Sequence, residues 1–149
     1  MHFSEVNSKQ LDTFTPFWSW SEAPRTAFAF LSDDNNEPIS FLRLFDRTLK
    51  LQKSDRHCMI EVLGIGGLFT VNELRGRGIA SELIKKVISV YPEYPGFVAI
   101  SRKNDSVFLD CGFKAIRTSE NKKNQDVYFY SRYMSLNISS WQLIPGNHF

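Results

Sequence analysis

"TVNELRGRGIASELIKKVISVYP", residues 70–92, places two glycines, two arginines and an amphipathic run in one short stretch. Ile79, Ala80, Leu83, Ile84, Val87, Ile88 and Tyr91 keep the spacing of one apolar helix face. Glu82 and Lys86 pair one turn apart on the polar side, and Pro92 and Pro95 end the run. The loop therefore opens directly into a helix N-terminus. There the first backbone N–H groups lack intrahelical partners, and the dipole contributes about half a positive charge. Phosphate oxygens suit such a position. Gly76 and Gly78 let the backbone curl and clear side chains from a close approach. Arg75 and Arg77 add charge in a form that forks onto phosphate, and Ser81 offers a hydroxyl.

On the N-terminal side, "CMIEVLGIGGLFTV" (58–71) is apolar on both faces and reads as a central strand. Gly64, Gly66 and Gly67 inside it mark a bulge or a close approach of a ligand or another backbone. "TAFAFLS" (26–32) reads as a strand, "DDNNEP" (33–38) as a turn, and "ISFLRLFDRTLKLQ" (39–52) as one long strand or two, which makes a hairpin. "KSDRH" is the next polar turn. Residues 4–20 read as one or two short helices carrying Val6, Leu11, Phe14 and Trp18, interrupted at Pro16, with Trp18 and Trp20 filling the space beneath the first. On the C-terminal side, "GFVAIS" (96–101) is a short buried strand. "NDSVFLDCGF" (104–113) is a brief helix capped by Asn104 or Asp105 and closed by Gly112. "ENKKNQD" is a wet loop, "DVYFYSRYMS" (126–135) a strand, and "SSWQLIPGNHF" an irregular tail. Strand, glycine-rich turn, helix, strand and helix, preceded by hairpins, make a mixed α/β layer architecture.

With 149 residues, one domain spanning 1–149 is the natural count, long enough to bury a core. A net charge of +2 is too weak to argue for nucleic acid or a membrane surface as partner. Cys58 and Cys111 are too few for a disulfide framework, and no apolar stretch reaches the length of a membrane span or a secretory signal. These features lead to the expectation of a cytoplasmic protein. His2, His57 and His148 are dispersed without ligand spacing, so no metal site is expected.

Phosphate loops offer three readings of "RGRG". A P-loop needs G-x-x-x-x-G-K-[ST], which is absent. A dinucleotide fingerprint needs G-x-G-x-x-G in a parallel βαβ unit, and Gly76-x-Gly78 supplies only its first half. The third is a pyrophosphate loop for coenzyme A. The bland alternative is a tight solvated turn.

"RGRGIA" (75–80) resembles the Q/R-x-x-G-x-G/A signature of the GCN5-related N-acetyltransferase (GNAT) family. The wider "LFTVNELRGRGIASELI" is similar to that family's V-x-P-E-x-R-G-x-G-I-A run, with Asn72 where proline is usual, and "FLDCGF" (108–113) resembles its YxxxGF ending. The resemblance covers residues 26–135. It implies a GNAT-type mixed, mostly antiparallel central sheet flanked by helices, with acetyl-CoA in a V-shaped opening between the fourth and fifth strands. By that resemblance the backbone around Phe69, Thr70 and Val71 hydrogen-bonds the pantetheine arm. Arg75, Gly76, Arg77, Gly78, Ile79, Ala80 and Ser81 cradle the pyrophosphate, Asn104 and Phe108 contact the cofactor, and Gly66 and Gly67 lie at the bulge where backbone N–H groups polarise the thioester carbonyl. It further implies an N-acetyltransferase acting on a small-molecule amine, with a homodimer common in the family; the alternatives are an acyl-CoA-binding module with little or no catalysis, marked by Phe108, and a protein or peptide N-acetyltransferase. Phe108 occupies the position of the family's proton-donating tyrosine and cannot donate, so Cys111, Tyr128, Tyr130 or water remain as donors. Glu61 is the one carboxylate of the strand and the candidate general base, against the alternative of a solvated edge or surface carboxylate. A narrower similarity to the branch with the aminoglycoside acetyltransferases implies a polyamine-like acceptor.

Overall fold

The computed structural model describes residues 1–6, 27–118, 124–133 and 140–144. These form one eight-stranded sheet with two helices. The strands are β1 (His2–Val6), β2 (Ala27–Ser32), β3 (Pro38–Lys53), β4 (Arg56–Thr70), β5 (Gly96–Arg102), β6 (Lys114–Thr118), β7 (Gln125–Ser131) and β8 (Gln142–Leu143). The helices are α1 (Ile79–Val90) and α2 (Ser106–Leu109). The order is β1-β2-β3-β4-β5-β7-β6-β8, antiparallel except for β4–β5 and β6–β8. β8 also pairs with β3 through Leu51 and Leu143, so the sheet from β3 to β8 closes on itself.

Alternation along the strands divides the core in two. Leu42, Leu44, Leu63, Ile65, Phe97 and Ala99 face the helices and pack against Leu83, Ile84 and Val87 of α1 and Phe108 of α2. Leu49, Leu51, Val62, Val98, Ile116 and Phe129 point the other way and fill the ring closed by β8. The α1 terminus near β5 is held by Arg132. Its Nη2 donates to the carbonyls of Ile88 and, at 2.7 Å, of Tyr91, while Nε donates to Tyr94. Carbonyls left over at a helix end are thereby satisfied.

Several sequence expectations are corrected. Residues 2–6 are a strand on β2, not part of a helix; Phe3 packs on the core although its neighbours are polar. The remainder of the expected N-terminal helices, with Trp18 and Trp20, lies outside the described residues, as does most of the ENKKNQD loop. The helix expected over 104–113 is one turn, Ser106–Leu109, capped by Asp105. β6 and β8 are additional strands: the first is short and polar, and the second is two residues in a stretch expected to be irregular.

The glycines of β4 have a specific cause. The β3–β4 register runs Arg43↔Gly66 and then Phe41↔Phe69, so β4 carries one extra residue, with Gly67 at φ 59°. This bulge reverses the side-chain parity. Gly64 and Gly66 lie beneath the Phe45 ring on the β8 side, whereas Leu68 joins the helix-side core and Phe69 stacks on Phe41 at 5.0 Å. A Cβ on Gly64 would stand 2.2 Å from a Phe45 ring carbon. Phe45 is 7% exposed and has little room to retreat. Gly64→Ala is therefore expected to cost about 1–3 kcal/mol of stability through overpacking, read as a lower denaturation midpoint in urea at unchanged slope.

Candidate functional site

β4 and β5 run parallel and pair only through Leu63↔Phe97, Gly64↔Val98 and Ile65↔Ala99. Beyond Ile65 the bulge carries β4 away, and a gap opens toward the C-terminal ends of both strands. A cavity of about 140 Å³ lies at its vertex, among Arg43, Phe45, Ile65, Gly66, Val98 and Ile100. A groove of about 390 Å³ lies at its mouth, with Phe69, Thr70, Arg75, Gly76, Ile79 and Ala80 on the β4 side and Arg102, Asp105 and Val107 on the β5 side.

The β4 wall presents backbone selectively. Val71 N–H donates to Ile39 and the Val71 carbonyl accepts from Leu74, so both groups are engaged; the Phe69 carbonyl accepts the Ser40 hydroxyl. Alternation along the ladder turns the polar groups of Thr70 to the opposite edge, toward the gap. The expected backbone contacts at 69–71 therefore narrow to Thr70. Its carbonyl accepts Arg75 Nε at 2.9 Å, and the guanidinium lies 5.2 Å from the Phe69 ring centroid. That bond uses one of five donors on the group, and the contact fixes the side chain at the groove wall.

Between β4 and α1, a 3₁₀ turn at Asn72–Leu74 reverses the chain. Gly76 and Gly78 then take φ of 78° and 76°, where side chains are strained. A Cβ at either would meet no heavy atom within 4 Å, so the space beside the loop is open. The first bond of α1 runs from Glu82 N–H to the Gly78 carbonyl, leaving the amides of Ile79, Ala80 and Ser81 ahead of the ladder. Arg77, Gly78 and Ser81 edge this helix start without lining the groove. Glycine-opened cradle, helix N-terminus and arginines together fit the pyrophosphate of a coenzyme A group.

The β5 wall was not legible from sequence. Asp105, 7% exposed, accepts from Val107 N–H at 3.1 Å and from the Ser101 hydroxyl, with Arg102 Nε at 4.0 Å. Its own N–H donates to the Tyr128 hydroxyl, which donates to the Arg102 carbonyl at 2.6 Å. This network sets the end of β5 beside the groove. Asn104 adopts φ 56° and is exposed without lining the groove. Phe108 is 3% exposed, stacked on Tyr128 and edge-on to Phe113. The Phe108 ring packs in the core and is not among the residues lining the groove. Tyr128 is buried and committed to its backbone bonds, and burial pushes the Cys111 thiol up from its ordinary pKa.

Glu61 is placed elsewhere as well. It shares the parity of Leu63 and Ile65, and lines a separate cavity of about 680 Å³ with Asp46, Thr48, Glu93 and Tyr94. Glu61 is not among the residues lining the vertex cavity. In that basin the Tyr94 hydroxyl donates to Asp46 at 2.6 Å.

The chain matches the model of the Acetyltransferase (GNAT) family over residues 2–128. No curated protein sequence matches it significantly. Its fold is similar to that of the GNAT family N-acetyltransferase YhbS from Escherichia coli, solved with CoA, at 13% identity and TM-score 0.55, covering 80% of this chain and 67% of that one. NAA60 from Arabidopsis thaliana, solved with acetyl-CoA, is similar at 14% identity and TM-score 0.55, with coverage of 89% and 99%. The ribosomal-protein-S18-alanine N-acetyltransferase from Escherichia coli is similar at 10% identity and TM-score 0.56, with coverage of 86% and 90%.

The Asp46 hydrogen bond, followed by burial and the nearby carboxylates, pushes the Tyr94 hydroxyl up to about 12 from 10.0. A raised folded-state pKa means the folded chain holds this proton more tightly than the unfolded one. The stabilisation is complete below pH 10 and is lost as pH rises toward 12. Absorbance titration of tyrosinate is expected to show a last step near pH 12 that vanishes in Tyr94→Phe; a final step at the ordinary tyrosine pKa contradicts the contact.

Proposed function

Because the chain belongs to the acetyltransferase (GNAT) family of acetyl-CoA-dependent N-acetyltransferases, we propose that it acetylates the primary amine of a small molecule by direct attack within the β4–β5 gap. The observation that carries this reading is the gap itself: two parallel strands part after Ile65↔Ala99 and lead to the open loop at Gly76 and Gly78. In this reading the amides of Ile79, Ala80 and Ser81 and the side chains of Arg75 and Arg77 hold the pyrophosphate. The edge of β4 at Thr70 aligns the pantetheine arm, and Arg102 flanks it from β5. The acetyl-CoA bound there supplies an activated acetyl group, whose transfer makes an N–C bond, breaks the C–S bond and leaves the thiol with a proton released by the amine. In this reading the reacting carbonyl lies at the Gly66–Gly67 bulge and is polarised by backbone N–H groups.

The small size of the vertex cavity, about 140 Å³, favours a compact acceptor over a peptide. A second reading, a module that binds acyl-CoA with little or no turnover, is favoured by Phe108. That position holds a buried ring rather than a phenol facing the gap. In the acetyltransfer reading, water protonates the leaving thiolate.

Acetyl-CoA binding by calorimetry, with NAD and ATP as controls, tests the shared part of both readings. Acetyl-CoA alone is expected to bind. Arg75→Ala is expected to weaken it about 10- to 100-fold, the range for loss of charged hydrogen bonds; unchanged affinity removes the loop from the site. CoA release in the presence of an amine separates the enzyme from the silent module.

A further inference from the structure

We propose that the donor site extends past an acetyl group: the vertex cavity takes the tail of a straight-chain acyl group of three or four carbons, so that propionyl-CoA and butyryl-CoA fit it alongside acetyl-CoA. The inference rests on the acetyl-transfer reading above.

The cavity continues the coenzyme groove along the same two strands. On β4 it ends at Gly66 and the groove begins at Leu68; on β5 it ends at Ile100 and the groove begins at Arg102. Each step is one side-chain repeat, about 7 Å of strand. A thioester whose carbonyl lies at the Gly66–Gly67 bulge therefore stands between the two. The coenzyme arm is then in the groove and the acyl tail at the cavity.

The lining suits hydrocarbon. Phe45, Ile65, Val98, Ala99 and Ile100 wall the cavity. Arg43 is its one charged residue; the guanidinium lies 5.1 Å from the Phe45 ring centroid, and an alkyl tail asks no hydrogen bond of it. Gly66 leaves room through its missing Cβ, which would stand 3.1 Å from a Phe45 ring carbon. The walls also limit length. Phe45 is 7% exposed and held over Gly64, and Val98 belongs to the packed core of Leu49, Val62 and Phe129, so neither has space to retreat. At about 140 Å³ the cavity has room for about four or five waters. Beyond the carbonyl, propionyl carries two carbons and butyryl three, so either fits and leaves a place for the amine nitrogen. Acetyl carries one and leaves most of the apolar wall uncovered, which forgoes the gain of burial. Tail and amine share the space, in keeping with a compact acceptor. The transfer step is unchanged: the N–C bond forms, the C–S bond breaks, and the thiol leaves with the proton released by the amine.

The test is calorimetric titration with CoA and with its acetyl, propionyl, butyryl, hexanoyl and succinyl thioesters. A buried methylene is worth about fourfold in affinity, so propionyl-CoA is expected to exceed acetyl-CoA about fourfold and butyryl-CoA about 15-fold. Hexanoyl-CoA is expected to bind no more tightly than butyryl-CoA. Ile100→Phe, which fills the cavity from β5, is expected to abolish the gain of the longer tails while CoA itself binds as before. Ile100→Ala, which enlarges the cavity, is expected to carry the gain on to hexanoyl-CoA. Equal affinity for the acetyl, propionyl and butyryl thioesters overturns the proposal. So does a rise that continues through hexanoyl-CoA in the wild-type protein, a gain unchanged in Ile100→Phe, or a preference for succinyl-CoA over butyryl-CoA. Failure of the wild-type protein to bind CoA is a different result, and it removes the acetyl-transfer reading itself.

Discussion

The parting of two parallel strands is the constraint on which the rest of this structure depends. β4 and β5 share three residue pairs and then separate. They separate because β4 carries an extra residue between Gly66 and Phe69 against β3, with Gly67 in a left-handed conformation. Separation exposes the edge of β4 at Thr70, which in a continuous sheet would be covered by its neighbour. It also gives the vertex cavity, and it delivers the chain to the glycine loop and α1 on the same side of the sheet as the main core. Without the bulge, Leu68 and Phe69 would exchange faces and the helix-side packing would lose Leu68.

The surroundings hold this opening in shape. On one side Phe45 covers Gly64 and Gly66, in the manner of an aromatic side chain filling the space that strand glycines leave. On the other, Asp105 draws together Ser101, Val107 and Arg102, while Tyr128 ties the Asp105 amide to the Arg102 carbonyl. Arg132 secures the far end of α1, the helix whose N-terminus faces the groove. Polar groups therefore set the walls, and apolar packing sets the distance between them.

How much of this was legible in the sequence follows from what is local. The helix after the glycine loop was legible because seven apolar residues keep one period, and the left-handed glycines because two occur at a helix start. β4 was legible as central because it is apolar on both faces. The wall formed by Arg102 and Asp105 was not, because it depends on a parallel pairing between segments about 35 residues apart in a crossover unit. The face on which Glu61 stands was not legible, because a bulge of unknown position leaves strand parity undetermined. β1 and β6 were missed because each is five residues long and mostly polar, and β8 because two residues carry no period. The role of Phe45 over the glycines is a cross-strand contact set by register, which no single stretch of sequence contains.

The central claim is that the coenzyme lies in the β4–β5 gap with its pyrophosphate at the start of α1. Backbone amide chemical shifts measured during a CoA titration test it most directly. The account predicts the largest changes at Thr70, Gly76, Gly78, Ile79, Ala80 and Ser81, with Arg102 responding across the groove. Changes centred instead on the basin of Asp46, Glu61 and Tyr94, with the glycine loop silent, would contradict it.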